Sequence, residues 1–268
     1  MQRILITGAK GQLGLELTKR LQQKNNTSLI LTDVEELDIT DINAVQDFVK
    51  QNKPSLIINC AAYTAVDDCE TNKDTAFKIN AIGPKNLSLA GNEIGAGIVH
   101  ISTDYVFDGN GIKKEDGKIR PYIEADETNP QSVYGESKLQ GEIYVKEMNP
   151  KNFIIRTAWL YGDGQNFVNT MLKLAKERDT LKVVNDQIGN PTSARALAEM
   201  IERLIETDNY GLYHGTCEGM CTWYDFAKEI FKIMGINIDV IPVSTEEFPR
   251  PAKRPKYSVL ENYMLKQT

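Results

Sequence analysis

Two residues four positions apart, Tyr134 and Lys138, form a pattern that could do proton chemistry. In a helix, side chains at this spacing lie on one face, so the lysine ammonium would lie beside the phenol. A phenol has a pKa near 10, and a neighbouring ammonium lowers that pKa by stabilising the phenolate. The pair therefore predicts a proton donor for a carbonyl substrate, with Lys138 also placed to bind the ribose hydroxyls of a cofactor.

Hydroxyl groups at the end of a predicted strand support this interpretation, because Tyr-x-x-x-Lys by itself is common on ordinary surface helices. Residues Ile98 to Ser102 are typical of a buried strand, and Thr103 and Asp104 follow at its carboxyl end. In parallel sheets these ends meet at the ligand crevice. Thr103 or Ser102 could therefore bond a substrate carbonyl and stabilise negative charge on its oxygen.

A glycine turn predicts the binding of a dinucleotide. Gly8, Gly11 and Gly14 lie between the first predicted strand and the first predicted helix, with the spacing G-x-x-G-x-x-G. Glycine lets the backbone approach a pyrophosphate, which the positive end of a helix attracts. Asp33 follows the second strand, where a carboxylate accepts hydrogen bonds from a free ribose 2′-OH and repels a 2′-phosphate. No arginine lies in residues 34–36, so the sequence favours NADH over NADPH.

The fold that would position these residues can be predicted from the first 160 residues. Short β-branched runs alternate with helical periodicity in five βα units, which is typical of a Rossmann-type, doubly wound parallel α/β sheet. The predicted strands are Arg3 to Thr7, Ser28 to Thr32, Ser55 to Asn59, Ile98 to Ser102 and Phe153 to Thr157, and the predicted helices are Gln12 to Lys24, Asn43 to Lys50, Asp74 to Ile94 and Ser132 to Glu147. The polar stretch from Gly109 to Asp126 is predicted to be a solvated loop.

The second half of the chain predicts a smaller substrate-binding lobe. Its patterns indicate helices at Phe167 to Lys176, Ser193 to Glu206 and Thr222 to Met234, with strands at Leu181 to Val184, Leu212 to His214 and Asp239 to Pro242. Residues 193–216 again read as a helix followed by a strand, so we expect them to return to the dinucleotide-binding domain formed by residues 1–158. Residues 159–192 and 217–268 would then form the lobe.

Composition excludes several other classes of function. The 268 residues carry a formal charge of −6 without a basic patch, which argues against nucleic-acid binding. No apolar stretch approaches the roughly 20 residues that span a bilayer, and no secretory signal precedes the first strand, so we expect a cytoplasmic protein without a membrane partner. The four cysteines and two histidines lack ligand spacing, so no metal is expected. The choice between a monomer and a homodimer stays open.

Motifs along nearly the whole chain resemble the extended short-chain dehydrogenase/reductase superfamily and, within it, the dTDP-4-dehydrorhamnose reductase family. The most discriminating are STDYVFDG from Ser102 and DQIGNPT from Asp186. The others are ITGAKGQLG, LDITD, INCAAYTAVDDCE, INAIGPKNL, NPQSVYGESKLQGE, RTAWLYG and RPKYS.

The resemblance implies the last step of dTDP-L-rhamnose synthesis for cell-surface polysaccharide, in which NADH or NADPH reduces the C4 ketone of dTDP-4-dehydro-β-L-rhamnose. Tyr134 would donate the proton, Lys138 would assist it and Thr103 would orient the carbonyl. The implied cofactor-binding residues are Gly8, Gly11, Gln12, Leu13, Gly14, Asp33, Asp38, Ile39, Ala61, Ala62, Tyr63, Thr64, Tyr134 and Lys138. Those facing the sugar nucleotide would be Thr103, Asp104, Tyr105, Tyr134 and Trp159, although Trp159 also fits a core position.

Two other interpretations stay open at this point. An epimerase or 4,6-dehydratase of the same superfamily would use the same tyrosine and lysine and retain its NAD, and Asp104 occupies the place of a dehydratase acid. A non-catalytic regulatory subunit resembling the methionine adenosyltransferase β subunit would keep the fold without turnover. A Ser-His-Asp hydrolase is disfavoured, because neither histidine accompanies a nucleophile motif and His100 lies inside a predicted strand.

Overall fold

The computed structural model describes residues 2–268 and is built around a parallel sheet. Within those residues the sheet has six strands in the order β12-β7-β4-β3-β1-β2. Every neighbouring pair is parallel. The prediction of a doubly wound α/β fold is confirmed. The strands of this sheet are β1 (Gln2–Thr7), β2 (Thr27–Thr32), β3 (Leu56–Asn59), β4 (Gly97–Thr103), β7 (Asn152–Thr157) and β12 (Gly211–His214).

The remaining strands are short and lie outside this sheet. Their order in the chain interleaves with the sheet strands. They form four two-stranded pairs, β5 with β6, β8 with β11, β9 with β14, and β10 with β13. Their bounds are β5 (Ile112–Lys113), β6 (Ile119–Arg120), β8 (Leu160–Tyr161), β9 (Thr180–Val184), β10 (Ile188–Gly189), β11 (Thr192–Ser193), β13 (Cys221–Thr222) and β14 (Asp239–Val243).

Helices cover both faces of the large sheet. The bounds are α1 (Gln12–Leu21), α2 (Ile42–Asn52), α3 (Val66–Thr71), α4 (Lys73–Phe77), α5 (Gly83–Glu93), α6 (Val133–Met148), α7 (Phe167–Leu174), α8 (Ala194–Leu204), α9 (Trp223–Ile233) and α10 (Tyr263–Gln267). Helices α1 and α8 pack together on one face, and α2, α5 and α6 pack side by side on the other. None of the helices within residues 2–268 combines the length and the apolar character needed to cross a bilayer.

Strand residues alternate between two hydrophobic cores, because successive side chains point to opposite faces of a sheet. Ile4 and Ile6 pack in the core beneath α1 and α8. Leu5, which lies between them, packs in the core beneath α2, α5 and α6. Both faces of the sheet are therefore buried, which explains why the strands consist of nearly continuous apolar runs.

The prediction of one continuous helix from Asp74 to Ile94 is wrong. The segment consists of α4, a π-helical turn at Lys78–Ile82, and α5. Pro84 has no N–H to donate to the carbonyl of Asn80, so the regular bonding pattern is interrupted there. Gly141 of α6 also approaches this carbonyl so closely that a Cβ atom would lie 2.2 Å from the oxygen. The turn brings the Asn80 side chain towards the strand ends.

The stretch from Gly109 to Asp126 is more ordered than the predicted solvated loop. It contains the β5–β6 hairpin, and its Tyr122 is fully buried, stacked on Phe107 with ring centroids 4.2 Å apart. The Tyr122 hydroxyl accepts hydrogen bonds from the backbone N–H groups of Asn110 and Gly111 at 2.9 and 2.7 Å. An aromatic anchor thus fixes a stretch whose composition is typical of a loop.

A second, smaller unit is built from the later part of the chain. Helices α7 and α9 pack against β9 and β14 around a separate hydrophobic cluster that includes Met171, Leu181 and Phe231. The chain returns to the large sheet between these pieces, because α8 packs on α1 and β12 pairs with β7. This smaller unit is called the C-terminal lobe below.

Candidate active site

The glycine turn has the close contacts that a dinucleotide cradle needs. Gly8 has a φ of +66°, and a Cβ atom there would lie 2.6 Å from the backbone nitrogen of Ala61. A Cβ atom at Gly14 would lie 2.3 Å from the Gly8 carbonyl oxygen. Gly11 caps α1 without any side-chain bond, so the first N–H groups of this helix stay available to an anion. These residues fit a pyrophosphate.

The glycine turn separates two cavities. The first has a volume of about 570 Å³, and its walls include Gly8, Asp33, Asp38, Ile39 and Ala61. The second has about 590 Å³ and lies at the carboxyl ends of β4 and β7; its walls include Gln12, Leu13, Gly14, Thr64, Thr103, Tyr134 and Lys138. Gly11 and Ala62 line both. Nearly every predicted cofactor-binding residue therefore lies on one continuous surface.

Charged side chains crowd the end of the first cavity at Asp33. The Asp33 carboxylate accepts a hydrogen bond from the backbone N–H of Lys10 at 3.3 Å. The Lys10 ammonium is itself paired with Glu35 at 2.9 Å and lies 3.6 Å from Glu36. Lys78, which sequence reasoning did not identify, also lines this cavity. The Lys10 ammonium is thus already paired with carboxylates.

Tyr63 is the exception among the predicted cofactor residues, because it lines neither cavity. Its side chain packs against the hydrophobic cluster that includes Cys69 and Val133, so its contact with the nicotinamide half stays a prediction. Its backbone is held by Asn80, whose amide accepts from the Tyr63 N–H at 2.8 Å and donates to the Tyr63 carbonyl at 3.1 Å. Asn80 was missed in the sequence, although an asparagine within an apolar helical stretch is itself a signal.

Tyr134 and Lys138 project from α6 into the second cavity, as their spacing predicts. The Lys138 Nζ atom donates a hydrogen bond to the carbonyl of Ile101 at 2.6 Å. Burial lowers the pKa of Lys138 to about 8, with Glu142 opposing the shift. Burial also raises the pKa of Tyr134, which a hydrogen bond with Thr103 only partly offsets. The expected lowering of the Tyr134 pKa by Lys138 is therefore wrong here, because the ammonium is held on a backbone carbonyl.

Both candidate hydroxyls at the end of β4 line the second cavity, and each donates to a carboxylate. The Ser102 hydroxyl donates a 2.5 Å hydrogen bond to the Glu142 carboxylate. Glu142 also forms two bonds with Arg156, at 2.9 and 2.7 Å, and both side chains are buried. Thr103 lines the second cavity.

Asp104 is a buried carboxyl beside Thr103. The Thr103 hydroxyl donates to its Oδ1 atom at 2.9 Å, while the buried Oδ2 atom has no hydrogen-bond partner within residues 2–268. Burial raises the pKa of Asp104 to about 6, and the nearby hydroxyl groups of Ser258 and Thr103 limit the rise. Asp104 thus combines a fixed oxygen with one free for further bonding.

Two indoles close the outer side of the second cavity. Trp159 has a φ of +47°, and its ring stacks on that of Trp223 from α9, with centroids 3.4 Å apart and planes inclined by 6°. A Cβ atom at Gly189 would lie 2.5 Å from the Trp159 ring, so only glycine leaves room for it. Trp223 was missed in the sequence, because nothing in its spacing links it to Trp159.

A third cavity, of about 580 Å³, continues from the second into the C-terminal lobe. Tyr105, Trp159 and Trp223 line both. Its other walls include the apolar side chains of Phe167, Met171 and Leu181 together with Arg250 and Arg254. The five predicted substrate-facing residues all line the second cavity, and two of them, Tyr105 and Trp159, also line the third. The five are Thr103, Asp104, Tyr105, Tyr134 and Trp159.

A parallel dinucleotide-binding sheet with a threonine and a Tyr-x-x-x-Lys pair at its strand ends defines an NAD(P)-dependent oxidoreductase of the short-chain dehydrogenase/reductase class. Comparison with family models places the chain more closely, since the model described as RmlD substrate binding domain matches residues 1–268. The chain belongs to this family, and the resemblance to dTDP-4-dehydrorhamnose reductases is confirmed.

Individual relatives agree with this assignment. A dTDP-4-dehydrorhamnose reductase from Aggregatibacter actinomycetemcomitans is 42% identical over 281 residues, covering 100% of this chain and 93% of the relative. The crystal structure of a dTDP-4-dehydrorhamnose reductase from Clostridium acetobutylicum is 58% identical with a TM-score of 0.96, covering 100% of this chain and 92% of that one. The enzyme of the same name from Bacillus anthracis, solved in complex with NADP, is 46% identical with a TM-score of 0.93, covering 100% and 93%.

Proposed function

We propose that this chain reduces the C4 ketone of dTDP-4-dehydro-β-L-rhamnose with NADH or NADPH and forms dTDP-L-rhamnose. The observation that carries the proposal is the meeting of Thr103, Tyr134 and Lys138 on one cavity wall beside the glycine turn. The match to relatives of that name along the whole chain supports this substrate in preference to other ketones.

The proposed cofactor follows the continuous surface of the first and second cavities. Gly11 and the start of α1 would bind the pyrophosphate, Asp33 would accept from the adenosine ribose, and Ala62 and Thr64 would contact the nicotinamide half. The bound nicotinamide supplies a hydride to C4. NADH is the preferred form in this proposal, because the Asp33 carboxylate in the first cavity would accept from a free 2′-OH and repel a 2′-phosphate.

Tyr134 is proposed as the proton donor for the oxygen at C4. Its raised pKa keeps the phenol protonated near neutral pH, so the proton is present on the donor before the reaction. Thr103, which lines the same cavity as Tyr134, would orient the carbonyl and stabilise the developing negative charge. Lys138 would exchange its bond to the Ile101 carbonyl for the ribose hydroxyls and bring its positive charge closer to the phenolate left behind.

The proposed division of the chain assigns the cofactor and the sugar nucleotide to different parts. Residues 1–158 with 193–216 would bind the cofactor, and residues 159–192 with 217–268 would hold the nucleotide. Asp104, Tyr105 and Trp159 line the second cavity, where the sugar would sit, and Tyr105 and Trp159 also line the third. Their position supports contact with the sugar, since Asp104 offers an unpaired oxygen and Trp159 a flat apolar ring.

The test is reduction of dTDP-4-dehydrorhamnose, generated in place by an epimerase, followed by the absorbance of NADH and of NADPH in separate assays. We expect oxidation of both cofactors with NADH preferred, and formation of dTDP-L-rhamnose. Tyr134→Phe should lower kcat by about 100-fold to 10,000-fold. Tyr144→Phe, on the same helix and outside the second cavity, is the matched control and should leave kcat unchanged.

Other results would contradict the proposal. Cofactor binding without oxidation of either form would favour a different sugar ketone or a regulatory subunit. Tightly retained NAD, without net consumption of NADH, would favour an epimerase or dehydratase.

A further inference from the structure

Glu142 continues the row of active-site side chains on α6. Tyr134, Lys138 and Glu142 follow one another at intervals of four residues, so they lie along one face of the helix. Lys138 and Glu142 are buried, with 2% and 5% of their surfaces exposed. The third member of the row is therefore a buried carboxylate one helical turn beyond the lysine.

Three hydrogen bonds hold the Glu142 carboxylate in one orientation. The Ser102 hydroxyl donates to Oε1 at 2.5 Å, and Arg156 donates from Nε at 2.9 Å and from Nη2 at 2.7 Å. Ser102 and Arg156 are paired across β4 and β7. The Cζ atom of Arg156 also lies over the ring of Phe107, 5.0 Å from its centroid. Glu142 thus joins α6 to two neighbouring strands of the large sheet.

The same part of β4 holds Lys138. The carbonyl of Ile101, the residue before Ser102, accepts a hydrogen bond from the Lys138 ammonium at 2.6 Å. A neutral carbonyl compensates a buried ammonium only in part for the loss of water, so burial favours the uncharged amine. The Glu142 carboxylate forms its ion pair with Arg156, yet its charge raises the pKa of Lys138 against the effect of burial.

The other ionisable groups around Lys138 differ from it in the pH range in which they titrate. Those that face it are Cys60, His100, Asp104, Tyr105 and Tyr134. Burial raises the pKa values of the thiol and the two phenols above their usual range and lowers the pKa of the imidazole well below its usual value. The pKa of Asp104 is about 6, and that of Lys138 is about 8. Among these groups, Lys138 is therefore the one expected to change its charge between about pH 7 and pH 10.

We propose that Glu142 is a positioning residue for the reaction: its carboxylate, held by Arg156 and Ser102, keeps the Lys138 ammonium charged in its buried place. The inference rests on the proposed function, because it assumes the role of Lys138 given there. An apolar pair in place of Glu142 and Arg156 could be equally stable, since burying two charges is costly. Stability alone therefore does not account for the pair, whereas a need for negative charge beside Lys138 does.

NMR of protein labelled with carbon-13 at the lysine ε-carbons measures the charge of Lys138 directly, and Lys138→Arg identifies its signal. The wild-type midpoint should lie near pH 8. Glu142→Gln keeps the size of the side chain and an acceptor for Ser102, removes the charge, and should lower the midpoint by about 0.5–1 pH unit. Glu147→Gln, at an exposed position of the same helix, is the matched control and should leave the midpoint unchanged. A wild-type midpoint in Glu142→Gln would overturn the proposal.

Two further variants separate the charge from the hydrogen bonds. Ser102→Ala removes one bond to the carboxylate but keeps its charge, so the midpoint should stay near that of the wild type. Glu142→Leu combined with Arg156→Met leaves neither charge of the pair buried alone, and should lower the midpoint even if Glu142→Gln folds poorly. A shift in Ser102→Ala as large as that in Glu142→Gln, or an unchanged midpoint in the double variant, would contradict the role of the charge.

The pH dependence of kcat/KM connects this charge to the reaction. In Glu142→Gln the fall of kcat/KM at alkaline pH should begin about 0.5–1 pH unit lower than in the wild type, while activity at lower pH is largely kept. A carboxylate that only stabilises the fold would lower activity at every pH and leave the alkaline limb in place. That result would overturn the positioning role.

Failure of this inference is distinguishable from failure of the proposed reaction. If the NMR midpoint of Lys138 responds to Glu142→Gln while dTDP-4-dehydrorhamnose is not reduced, the effect of Glu142 on Lys138 stands and the proposed reaction is wrong. If the ketone is reduced while neither the midpoint nor the alkaline limb responds, only the role of Glu142 is wrong.

Discussion

Trp159 and Trp223 stack face to face with ring centroids 3.4 Å apart, although they lie 64 positions apart in the chain. Trp159 follows β7 of the large sheet, and Trp223 begins α9 of the C-terminal lobe. Because both line the second and third cavities, the stack joins the two parts of the molecule where the substrate would enter. The conformation of Trp159, with its positive φ, depends on this partner and on Gly189.

Trp223→Ala should raise KM for the sugar nucleotide about tenfold and change kcat much less. The variant removes the partner that orients Trp159, and an aromatic pair contributes about 0.5–1.5 kcal/mol beyond the burial of its surface. Steady-state kinetics at fixed cofactor concentration measures the effect. Trp223→Phe keeps a stacked ring and is the control that should recover most of the affinity; an unchanged KM in the alanine variant would contradict the role of the stack.

The charge of Lys138 should set an alkaline limit on activity. Its pKa is lowered to about 8 by burial, so the ammonium loses its proton as pH rises through that value. We expect kcat/KM to fall above about pH 8 in the wild type. Lys138→Arg keeps its charge at these pH values, so any remaining activity should lack this limb. A pH profile of kcat/KM for both proteins checks the expectation, and identical alkaline limbs would count against it.

The raised pKa of Asp104 should make it a source of instability at neutral pH. The pKa rises from 3.8 in the unfolded chain to about 6 in the folded one, so the folded chain binds the proton more tightly. The penalty grows as pH rises through this window and is complete above about 6. The free energy of unfolding of Asp104→Asn, measured relative to that of the wild type, should therefore increase by about 2 kcal/mol when the pH is raised from about 4 to about 7. Urea unfolding at both pH values measures this, and a constant difference would refute it.

Removing one partner of the buried pair of Glu142 and Arg156 should lower the free energy of unfolding strongly. Arg156→Met leaves the Glu142 carboxylate buried without its partner and should cost about 3–5 kcal/mol of unfolding free energy. Adding Glu142→Leu should recover part of that loss. The exposed pair of Arg203 and Glu199 is the comparison, and Arg203→Met should cost less than about 1 kcal/mol. Equal losses at the two sites, measured by urea unfolding, would contradict the account.

Local patterns predicted the features that depend on neighbouring residues. The apolar runs at β1 and β3 are buried on both faces, so their ends were predicted within about two residues. The spacing of Tyr134 and Lys138 was enough to place both on one wall, because a helix fixes which residues share a face. The π-helical turn was missed, although Pro84 is a local signal for it, because the close approach of Gly141 to the Asn80 carbonyl involves another helix.

Features that depend on distant residues were not predictable in this way. Trp223 and Arg254 reach the cavities only after the chain has left the large sheet, returned to it and left again. The direction of the Tyr134 pKa was predicted wrongly, because spacing placed Lys138 beside the phenol but did not reveal the Ile101 carbonyl that holds the ammonium. Burial and competing partners, which a sequence pattern does not contain, decided both cases.

The order of strands in the large sheet has a consequence for how the protein is made. Strand β12 pairs with β7 but begins more than 50 residues after β7 ends. At about 5–20 residues per second, a ribosome needs several seconds to synthesise that interval, during which β7 presents an unpaired edge to the solvent. We expect the nascent chain to be most exposed to aggregation in this period, and the emergence of residues 211–214 to end it.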